Sequence, residues 1–427
     1  MIVYLLIGTF AVLFLLGVPV ILSITLPSVI YFLLKHVPID IVAQRFHYAL
    51  NSFPLVAVPV FILAGNLMNS TRHTERIFKF ADSLVGHLPG GLAQVNIFAS
   101  LIFSGMSGAA LADVGGLGQI EIKAMEERGF KKEFAAAVTM ASATVGPIFP
   151  PSIPLVIYGA VTGTSVIKLL MGGIMPAILA VVVMMIITAI IALFRNLPRA
   201  ESRAEFAVIW ANFKEALPSL LAPVMLVFGM LSGYFTPTEA ASITVAYLLL
   251  ISIFVYRDFN FKALLRATYE TIRSTSAIMI IVASASLFSW ILAVENFPAV
   301  VHSFIGQFCE NRLLLLLFVN VLMFIIGMFL DSTTATILVV PIIVPPILAS
   351  GIDPVHLGII IIFNLMLGLM TPPMGLSLFL ISDIAKVPMG KVLRNVAPYF
   401  IALVASLLII TFVPWFSTYI PGVLMGK

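Results

Sequence analysis

Charged residues are scarce in this chain of 427 residues: Asp, Glu, Lys and Arg make up 10% of it, against roughly 25% in a soluble domain. Hydrophobic residues make up 61%. A water-exposed globular fold is therefore excluded, and the long apolar runs indicate an all-α protein that crosses a membrane several times. The one cysteine, Cys309, excludes a disulfide within the chain and a metal site built from several cysteines.

The chain also lacks the sequence features of an ATP-driven pump. It has no G-x-x-x-x-G-K-[ST] motif and no large polar block that could form a soluble domain. Its net charge of +4 does not indicate a nucleic-acid partner, so we expect no nucleic acid and a lipid bilayer around the chain. Energy must then come from an ion gradient or from a partner.

The N-terminal apolar run, residues 1–16, has no Lys or Arg before it, so we expect a membrane helix there and not a secretory signal. Gly17-Val18-Pro19 interrupts the first 34 residues. Residues 2–34 therefore form either two short helices, 2–17 and 18–34, or one kinked helix.

Most of the 23 lysines and arginines fall into clusters between apolar runs. These clusters are Arg72, Arg76 and Lys79; Lys123, Arg128, Lys131 and Lys132; Arg195, Arg199, Arg203 and Lys214; Arg257, Lys262, Arg266 and Arg273; Lys386, Lys391 and Arg394. Under the positive-inside rule all of them face the cytoplasm. The remaining basic residues then face the opposite side of the membrane: Lys35, Arg45, Lys168, Arg312 and Lys427.

Two segments begin and end on one side of the membrane. Residues 80–122 contain no Lys or Arg and break at Ser104-Gly105-Met106-Ser107-Gly108, a poor helix sequence. We therefore expect a re-entrant helical hairpin, hairpin 1, over about 89–125. The basic-poor residues 312–349 break at 327–334 and predict hairpin 2, which enters from outside.

Each hairpin is followed by an apolar segment with a Gly/Pro-rich interruption. Residues 146–152 read GPIFPPS, and residues 368–375 read GLMTPPMG. Proline lacks a backbone N–H and glycine is conformationally free, so both interrupt helices. We predict two helices broken at membrane depth, over about 131–163 and 353–385.

The interruptions recur at a fixed shift of 222 residues, the difference between 105 and 327. The shared glycines and prolines are Gly105/Gly327, Gly129/Gly351, Gly146/Gly368, Pro150/Pro372, Pro151/Pro373 and Pro176/Pro398. Opposite flanking charge makes the repeat inverted, which is typical of secondary transporters. The predicted organisation is a first repeat over 1–194, a cytoplasmic linker over 195–215 and a second repeat over 216–427.

Further helices are expected outside the hairpins and broken helices. In the first repeat they are 50–69, an amphipathic arm at 71–87, and 165–194. In the second they are 216–234, 236–256, an arm at 257–273, 274–294, and a last helix at 395–419.

The hairpin tips and helix breaks contain hydroxyls and free backbone groups but no Lys or Arg. Helix N-termini offer N–H groups to an anion, and freed carbonyls offer oxygens to a hard cation such as Na⁺. The predicted substrate residues are Ser104, Ser107, Ser152, Asp331, Ser332 and Thr333. The predicted Na⁺ ligands, largely backbone carbonyls, lie at Ser104, Gly105, Gly146, Pro150, Gly327, Asp331, Thr334, Gly368, Thr371 and Pro372. Asp331 is the acid at tip 2, whereas Asp113 is expected only to cap the second arm of hairpin 1.

The tip at 104–113, the Gly/Pro-rich residues 146–152, the tip at 327–334 and Thr371-Pro372-Pro373 resemble those of the large membrane subunit of TRAP transporters, the DctM-like family. The resemblance covers essentially the whole chain. It implies an elevator architecture of the ion-transporter superfamily, in which both hairpins and both broken helices slide against a scaffold. It also implies Na⁺-driven uptake of an organic acid across a bacterial inner membrane.

The resemblance implies two protein partners. One is a periplasmic substrate-binding protein, and the other is a small four-helix membrane subunit, expected on a separate chain. The sequence is similar to large subunits of sialic-acid systems, in which an acid matching Asp331 and serines near the first tip are implicated. C4-dicarboxylates and other sugar acids stay open as substrates.

Two other functions are compatible with parts of the sequence. Gly105-Met106-Ser107-Gly108 fits the GxSG of intramembrane serine proteases, with His302 or His356 as the base. Such proteases are much shorter and lack inverted hairpins. A passive anion channel is the third possibility, and it would show uptake without Na⁺ or saturation.

Overall fold

The computed structural model describes residues 2–70, 73–199, 202–297, 299–301, 303, 306 and 311–426 of the chain. Within these ranges the regular structure is helical, and no strand occurs. The predicted all-α class is confirmed.

Residues 2–195 form twelve helices. They are α1 (Ile2–Leu15), α2 (Val20–Leu34), α3 (Asp40–Leu50), α4 (Ala57–Ser70), α5 (His73–Val85), α6 (Leu92–Ser107), α7 (Ala110–Gly116), α8 (Gly118–Glu127), α9 (Lys132–Ala143), α10 (Ile153–Thr162), α11 (Val166–Gly172) and α12 (Ile174–Arg195). A 3₁₀ turn, Phe53–Val56, precedes α4.

The described residues from 206 onward form nine more α-helices. They are α13 (Phe206–Leu231), α14 (Pro237–Leu250), α15 (Phe261–Val294), α16 (Arg312–Phe329), α17 (Ser332–Leu348), α18 (Pro354–Leu369), α19 (Leu376–Ala385), α20 (Met389–Phe412) and α21 (Trp415–Met425). A π-helical turn, Ile251–Val255, extends α14.

Six helical segments in the described part of the chain are long and apolar enough to cross a membrane. They are Val166–Arg195, Phe206–Met230, Pro237–Val255, Phe261–Val294, Arg312–Phe329 and Met389–Phe412. Many large apolar side chains on these helices are exposed, for example Phe194, Phe228 and Ile401. A soluble protein buries such side chains, whereas a membrane protein presents them to lipid.

The helices divide into two groups, each with members from both halves of the sequence; the groups contact each other where α4 and α5 meet α6 and where α15 meets α17. The outer group comprises α1–α5 and α13–α15; in it α15 packs against α2, α3 and α4, and α5 packs against α13. The inner group comprises α6–α12 and α16–α21; in it α6 packs against α9, α16 against α18, and α20 against both α9 and α12. The hairpins and the broken helices therefore belong to the inner group.

The N-terminal ambiguity resolves in favour of two helices. α1 ends at Leu15 and α2 begins at Val20, and Gly17 between them has a φ of +82°. A left-handed φ is available to glycine at little cost, so this residue permits the reversal. The structure adds α3, which the sequence analysis did not predict.

Three predicted boundaries are wrong. The linker predicted at 195–215 is shorter, because α13 begins at Phe206, where Phe206 and Trp210 stack and Lys214 lies over the Trp210 ring. The arm at 257–273 and the helix at 274–294 are parts of one helix, α15. Residues 261–294 contain no Gly or Pro, so the helix continues through its basic residues without a break.

The third error concerns the last predicted helix, 395–419. In the structure α20 begins at Met389 and ends at Phe412, before Pro414, and α21 is separate. Proline disfavours a helical conformation in the residue before it, so Pro414 explains this boundary.

The backbone of hairpin 2 lies directly against that of the following broken helix. A methyl group on Gly327 would come within 2.9 Å of the Cα and the carbonyl oxygen of Leu365, and one on Gly368 would collide with the backbone of Gly327. The N–H of Gly375 donates to the carbonyl of Met328 over 3.2 Å. Two glycines in register therefore permit a backbone contact that no other residue allows.

We expect Gly368→Ala to lower the free energy of unfolding by about 1–3 kcal/mol, because the added methyl group meets backbone that cannot rotate away. Gly390→Ala is the matched control, since a methyl group there meets nothing within 4 Å. Thermal unfolding of the purified variants measures both. Equal melting temperatures would contradict the close packing of hairpin 2.

Candidate functional site

Tip 1 is the turn between α6 and α7. Gly108 ends α6 with a φ of +61°, and Ala109 is extended before α7 begins. The carbonyl of Gly108 accepts a hydrogen bond from the N–H of Ile153 over 3.3 Å. A methyl group on Gly105 would lie 2.8 Å from Cβ of Pro223 in the outer group and 3.8 Å from the carbonyl oxygen of Pro150. Tip 1 thus lies between the first helix break and α13.

The first break spans residues 144–152 between α9 and α10, and Pro150 and Pro151 are joined by a cis peptide bond. Ser152 caps α10: its Oγ accepts from the N–H of Leu155 over 3.2 Å and donates to the carbonyl of Pro147. Its side chain is fully buried. The predicted substrate role of Ser152 therefore competes with a structural role that already occupies its hydroxyl group.

Tip 2 is the turn between α16 and α17, and Asp331 organises it. The carboxylate oxygen Oδ1 accepts hydrogen bonds from the N–H groups of Thr333, at 3.0 Å, and Thr334, at 3.1 Å. The Thr334 hydroxyl donates to the other carboxylate oxygen. Asp331 is thus the N-cap of α17, an arrangement that satisfies N–H groups at the start of a helix.

The second break spans residues 370–375 between α18 and α19, and Pro372 and Pro373 are also joined by a cis peptide bond. The Thr371 hydroxyl donates to the carbonyl of Gly368 over 2.9 Å. Pro372 is exposed, whereas Pro150 and Pro151 in the first break are buried. The two breaks thus match in position but differ in accessibility.

Each tip contacts the break in its own half of the sequence. The helices that follow the tips and the breaks contact each other across the two halves. Tip 1 contacts the first break, and tip 2 contacts the second. Beyond these contacts α10 packs against α17, and α7 packs against α19. Each half-helix after a break therefore lies beside the second arm of the other hairpin, which makes the inner group one packed unit.

The predicted site residues differ in their exposure. Asp331, Thr333 and Thr371 are partly exposed, whereas Ser152, Ser332 and Thr334 are buried. The side chains of Ser104 and Ser107 lie outside the described residues. Gly105, Gly146, Pro150, Gly327, Gly368 and Pro372 lie at the tips and breaks as expected from the sequence. Their roles as substrate or Na⁺ ligands stay predictions.

A cavity of about 760 Å³ separates α7 of the inner group from α4 and α15 of the outer group. The polar side chains of its wall are those of Asn66, Asn69, Asn260, Lys262, Arg266, Glu270 and Ser274. A methyl group on Gly116 of α7 would lie 3.3 Å from the side-chain nitrogen of Asn69. The wall is thus polar and partly cationic where a hairpin arm faces the outer helices.

Sequence reasoning missed a buried polar cluster under hairpin 1. The Asn96 side chain donates to Thr139 over 2.7 Å and to Glu121 over 3.1 Å, and Ser142 donates to Asn96 over 2.7 Å. Asp113 is also buried, in the first turn of α7, and its Oδ2 would lie 2.7 Å from a methyl group on Gly146. Only the apolar sequence around Asn96 could have signalled a buried amide.

The structure gives no support to His356 as the base of an intramembrane protease. His356 is fully buried, with Nδ1 2.7 Å from the Ser417 hydroxyl and Nε2 3.2 Å from the Thr411 carbonyl. Both ring nitrogens are engaged in packing α18 against α20 and α21. The other predicted partner, His302, lies outside the described residues.

Comparison with known proteins gives full-length relatives. The chain is 40% identical over 414 residues to the sialic acid TRAP transporter large permease protein SiaM of Vibrio cholerae, and the match covers 96% of each chain. It is 36% identical to the sialic acid TRAP transporter permease protein SiaT of Haemophilus influenzae, over 99% of this chain and 69% of that protein. The C4-dicarboxylate TRAP transporter large permease protein DctM of Pseudomonas aeruginosa is 35% identical over 87% of this chain and 86% of its own length.

A solved structure shares the fold. The YdaH transporter of Alcanivorax borkumensis, whose crystal structure is described as revealing an unusual topology, matches with a TM-score of 0.62. The match covers 88% of this chain and 87% of that chain at 16% identity, so it bears on the fold alone.

The family model described as tripartite ATP-independent periplasmic transporter, DctM component, matches residues 7–416. This match spans both hairpins, both broken helices and the outer helices. The chain is therefore a multi-pass membrane protein that belongs to the DctM family, the large permease subunits of TRAP transporters.

Proposed function

We propose that this permease imports an organic acid, with sialic acid as the first candidate, and that a Na⁺ gradient drives the import. The observation that carries the proposal is the composition of the tips and breaks. They combine backbone carbonyls, helix N-termini and Asp331, and they contain no Lys or Arg. A bound cation would supply the positive charge that a carboxylate substrate needs, so binding of the acid would depend on the ion.

The proposed movement is that of an elevator, with the inner group sliding against the outer group. The arms of the hairpins and the halves of the broken helices pack on one another across the two halves of the sequence, which favours movement as one body. The polar cavity beside α7, with Lys262 and Arg266 in its wall, offers an acid anion a route between the groups.

The proposed setting is a bacterial inner membrane with two partners. A periplasmic binding protein would deliver the acid, and a small four-helix membrane subunit on a separate chain would complete the transporter. The Vibrio relative is named a large permease protein of a sialic acid TRAP transporter, and this chain covers 96% of it.

Reconstitution of the permease with the small subunit and the binding protein tests ion coupling. We expect saturable uptake of labelled sialic acid in an inward Na⁺ gradient and only background uptake in an equal K⁺ gradient. Liposomes without the permease provide the background. Equal uptake in both gradients would remove the coupling, and uptake without saturation would favour a channel.

The same vesicles test the substrate. We expect unlabelled sialic acid to compete with the labelled acid, and C4-dicarboxylates and other sugar acids to compete weakly. The alternative substrate class is supported by the 35% identity to the Pseudomonas C4-dicarboxylate permease. Stronger competition by a C4-dicarboxylate would assign the permease to that class.

Asp331→Asn separates the charge of Asp331 from its capping role. Asparagine is as good an N-cap as aspartate, so we expect near-normal stability. Uptake should fall about tenfold or more, because the neutral amide cannot hold the proposed cation as the carboxylate would, and a contact with a charged group contributes about 1.5–3 kcal/mol.

Asp353→Asn is the matched control for this variant. Asp353 caps α18 in the same way, with its carboxylate 2.9 Å from the N–H groups of Val355 and His356, and it lies outside the proposed site. Normal uptake by both variants would exclude the charge of Asp331 from the site. Equal losses in both would assign the effect to helix capping.

A further inference from the structure

One carboxyl group is buried in hairpin 1, away from the tips and breaks. Glu121 lies in α8 with 3% of its surface exposed. α8 packs against α6, α7, α9 and α19, so the side chain is enclosed by the inner group. A glutamate is almost never fully buried without a partner, so its surroundings decide what holds it there.

The contacts of Glu121 are made by neutral groups. Oε2 accepts a hydrogen bond from the side-chain nitrogen of Asn96 over 3.1 Å, and the Thr139 hydroxyl is a second polar neighbour of the carboxyl group. That nitrogen also donates to the Thr139 hydroxyl, and the Asn96 oxygen accepts from Ser142. The second carboxyl oxygen, Oε1, is buried and has no hydrogen-bond partner among the described residues. Glu121 thus links hairpin 1 to α9 through Asn96 and Thr139.

The charged residues on the elements around Glu121 do not neutralise it. On α7, the buried Asp113 is a second acid and supplies no cation. On α9, Lys132 pairs with Glu126 at 3.1 Å, and Glu133 lies in the first turn. Two further ion pairs lie nearer the surface, Lys123 with Glu127 and Arg128 with Asp82.

The last two elements add no cation either. Asp383 on α19 is exposed and paired with Lys386, and α6 contains no charged residue. Among the described residues, no cation therefore contacts Glu121. Burying an ionised carboxylate without a cation is very unfavourable, and such a group is neutralised by a proton.

We propose that Glu121 is a proton-binding site of the inner group. Its side chain carries a proton at neutral pH, while Oε2 accepts from Asn96. α8 ends at Glu127 and is followed by the half-exposed Arg128, so the site lies within two helical turns of the surface. Loss of the proton would charge the contact between hairpin 1 and α9, and alkaline pH on that side would therefore slow the transporter.

Infrared spectroscopy of the wild-type permease with isotope-labelled glutamate tests the proton directly. Glu121 is the buried glutamate among the described residues, so we expect one carboxylic-acid C=O band at neutral pH. The band should be absent from Glu121→Gln and present in Glu127→Gln, which removes an exposed carboxyl from the same helix. A wild-type spectrum without this band would overturn the proposal.

Thermal unfolding gives a second readout. In the unfolded chain a glutamate loses its proton near pH 4.3, while folded Glu121 keeps it. Stability of the wild type relative to Glu121→Gln should therefore fall as the pH rises from about 5 to about 8, by about 1–2 °C in melting temperature per pH unit. A wild type that gains stability relative to this variant on raising the pH or on adding Na⁺ would show a carboxylate held by a cation, and it would contradict the proposal.

The effect on uptake rests on the proposed function. At saturating Na⁺, raising the internal pH from about 7 to about 9 should reduce uptake several-fold in the wild type and in Glu127→Gln, but not in Glu121→Gln. A decline that persists in Glu121→Gln would exclude Glu121 as the group that slows the transporter. The infrared test and the pH series of the thermal test need neither the acid nor Na⁺. Their failure is therefore distinguishable from failure of the transport proposal.

Discussion

The backbone contact between Gly327 and Gly368 constrains the arrangement of the inner group. Side chains normally keep two helices 8–10 Å apart, whereas these two glycines bring the peptide backbones of α16 and α18 into direct contact. In hairpin 1 the carbonyl of Gly108 is bonded to the N–H of Ile153. Each tip is thereby fixed to the break that follows it, and the packing of α7 on α19 and of α10 on α17 joins the two pairs.

The scarcity of charge has a consequence at these contacts. Hydroxyl groups at the tips and breaks are largely used by the protein itself: Ser152 caps α10, and Thr371 bonds to the carbonyl of Gly368. Asp331 is partly exposed. The proposed cation and acid would therefore depend on Asp331 and on backbone groups more than on the hydroxyls that the sequence suggested. In the same group, the proposed proton on Glu121 would take the place of a cation, which no described neighbour supplies.

Some of this arrangement could be predicted from the sequence, because glycine and proline act locally. The runs at 146–152 and 368–375 predict both breaks, and the structure places them between α9 and α10 and between α18 and α19. Charge is a poorer guide to helix ends, since basic residues continue through the first turns of α15 without interrupting it. The aromatic start of α13 likewise falls within the residues predicted as a linker.

Contacts between distant residues could not be predicted. Asn96 and Glu121 are 25 residues apart, and Asn96 and Ser142 are 46 apart, so no local pattern joins them. The packing of each half-helix against the arm of the opposite hairpin is equally invisible in one sequence. These contacts join the helices of the inner group into one packed unit.

Distances between spin labels test whether the inner group moves as one body. One pair joins Val321 on α16 to Phe379 on α19, both exposed and within the inner group; the other joins Phe379 to Ile280, which is exposed on α15 of the outer group. Cys309 is replaced by serine in both. If the inner group moves as one body, addition of Na⁺ and the transported acid leaves the distance from Val321 to Phe379 unchanged and shifts the distance from Phe379 to Ile280. A change confined to the pair within the inner group would contradict movement as one body.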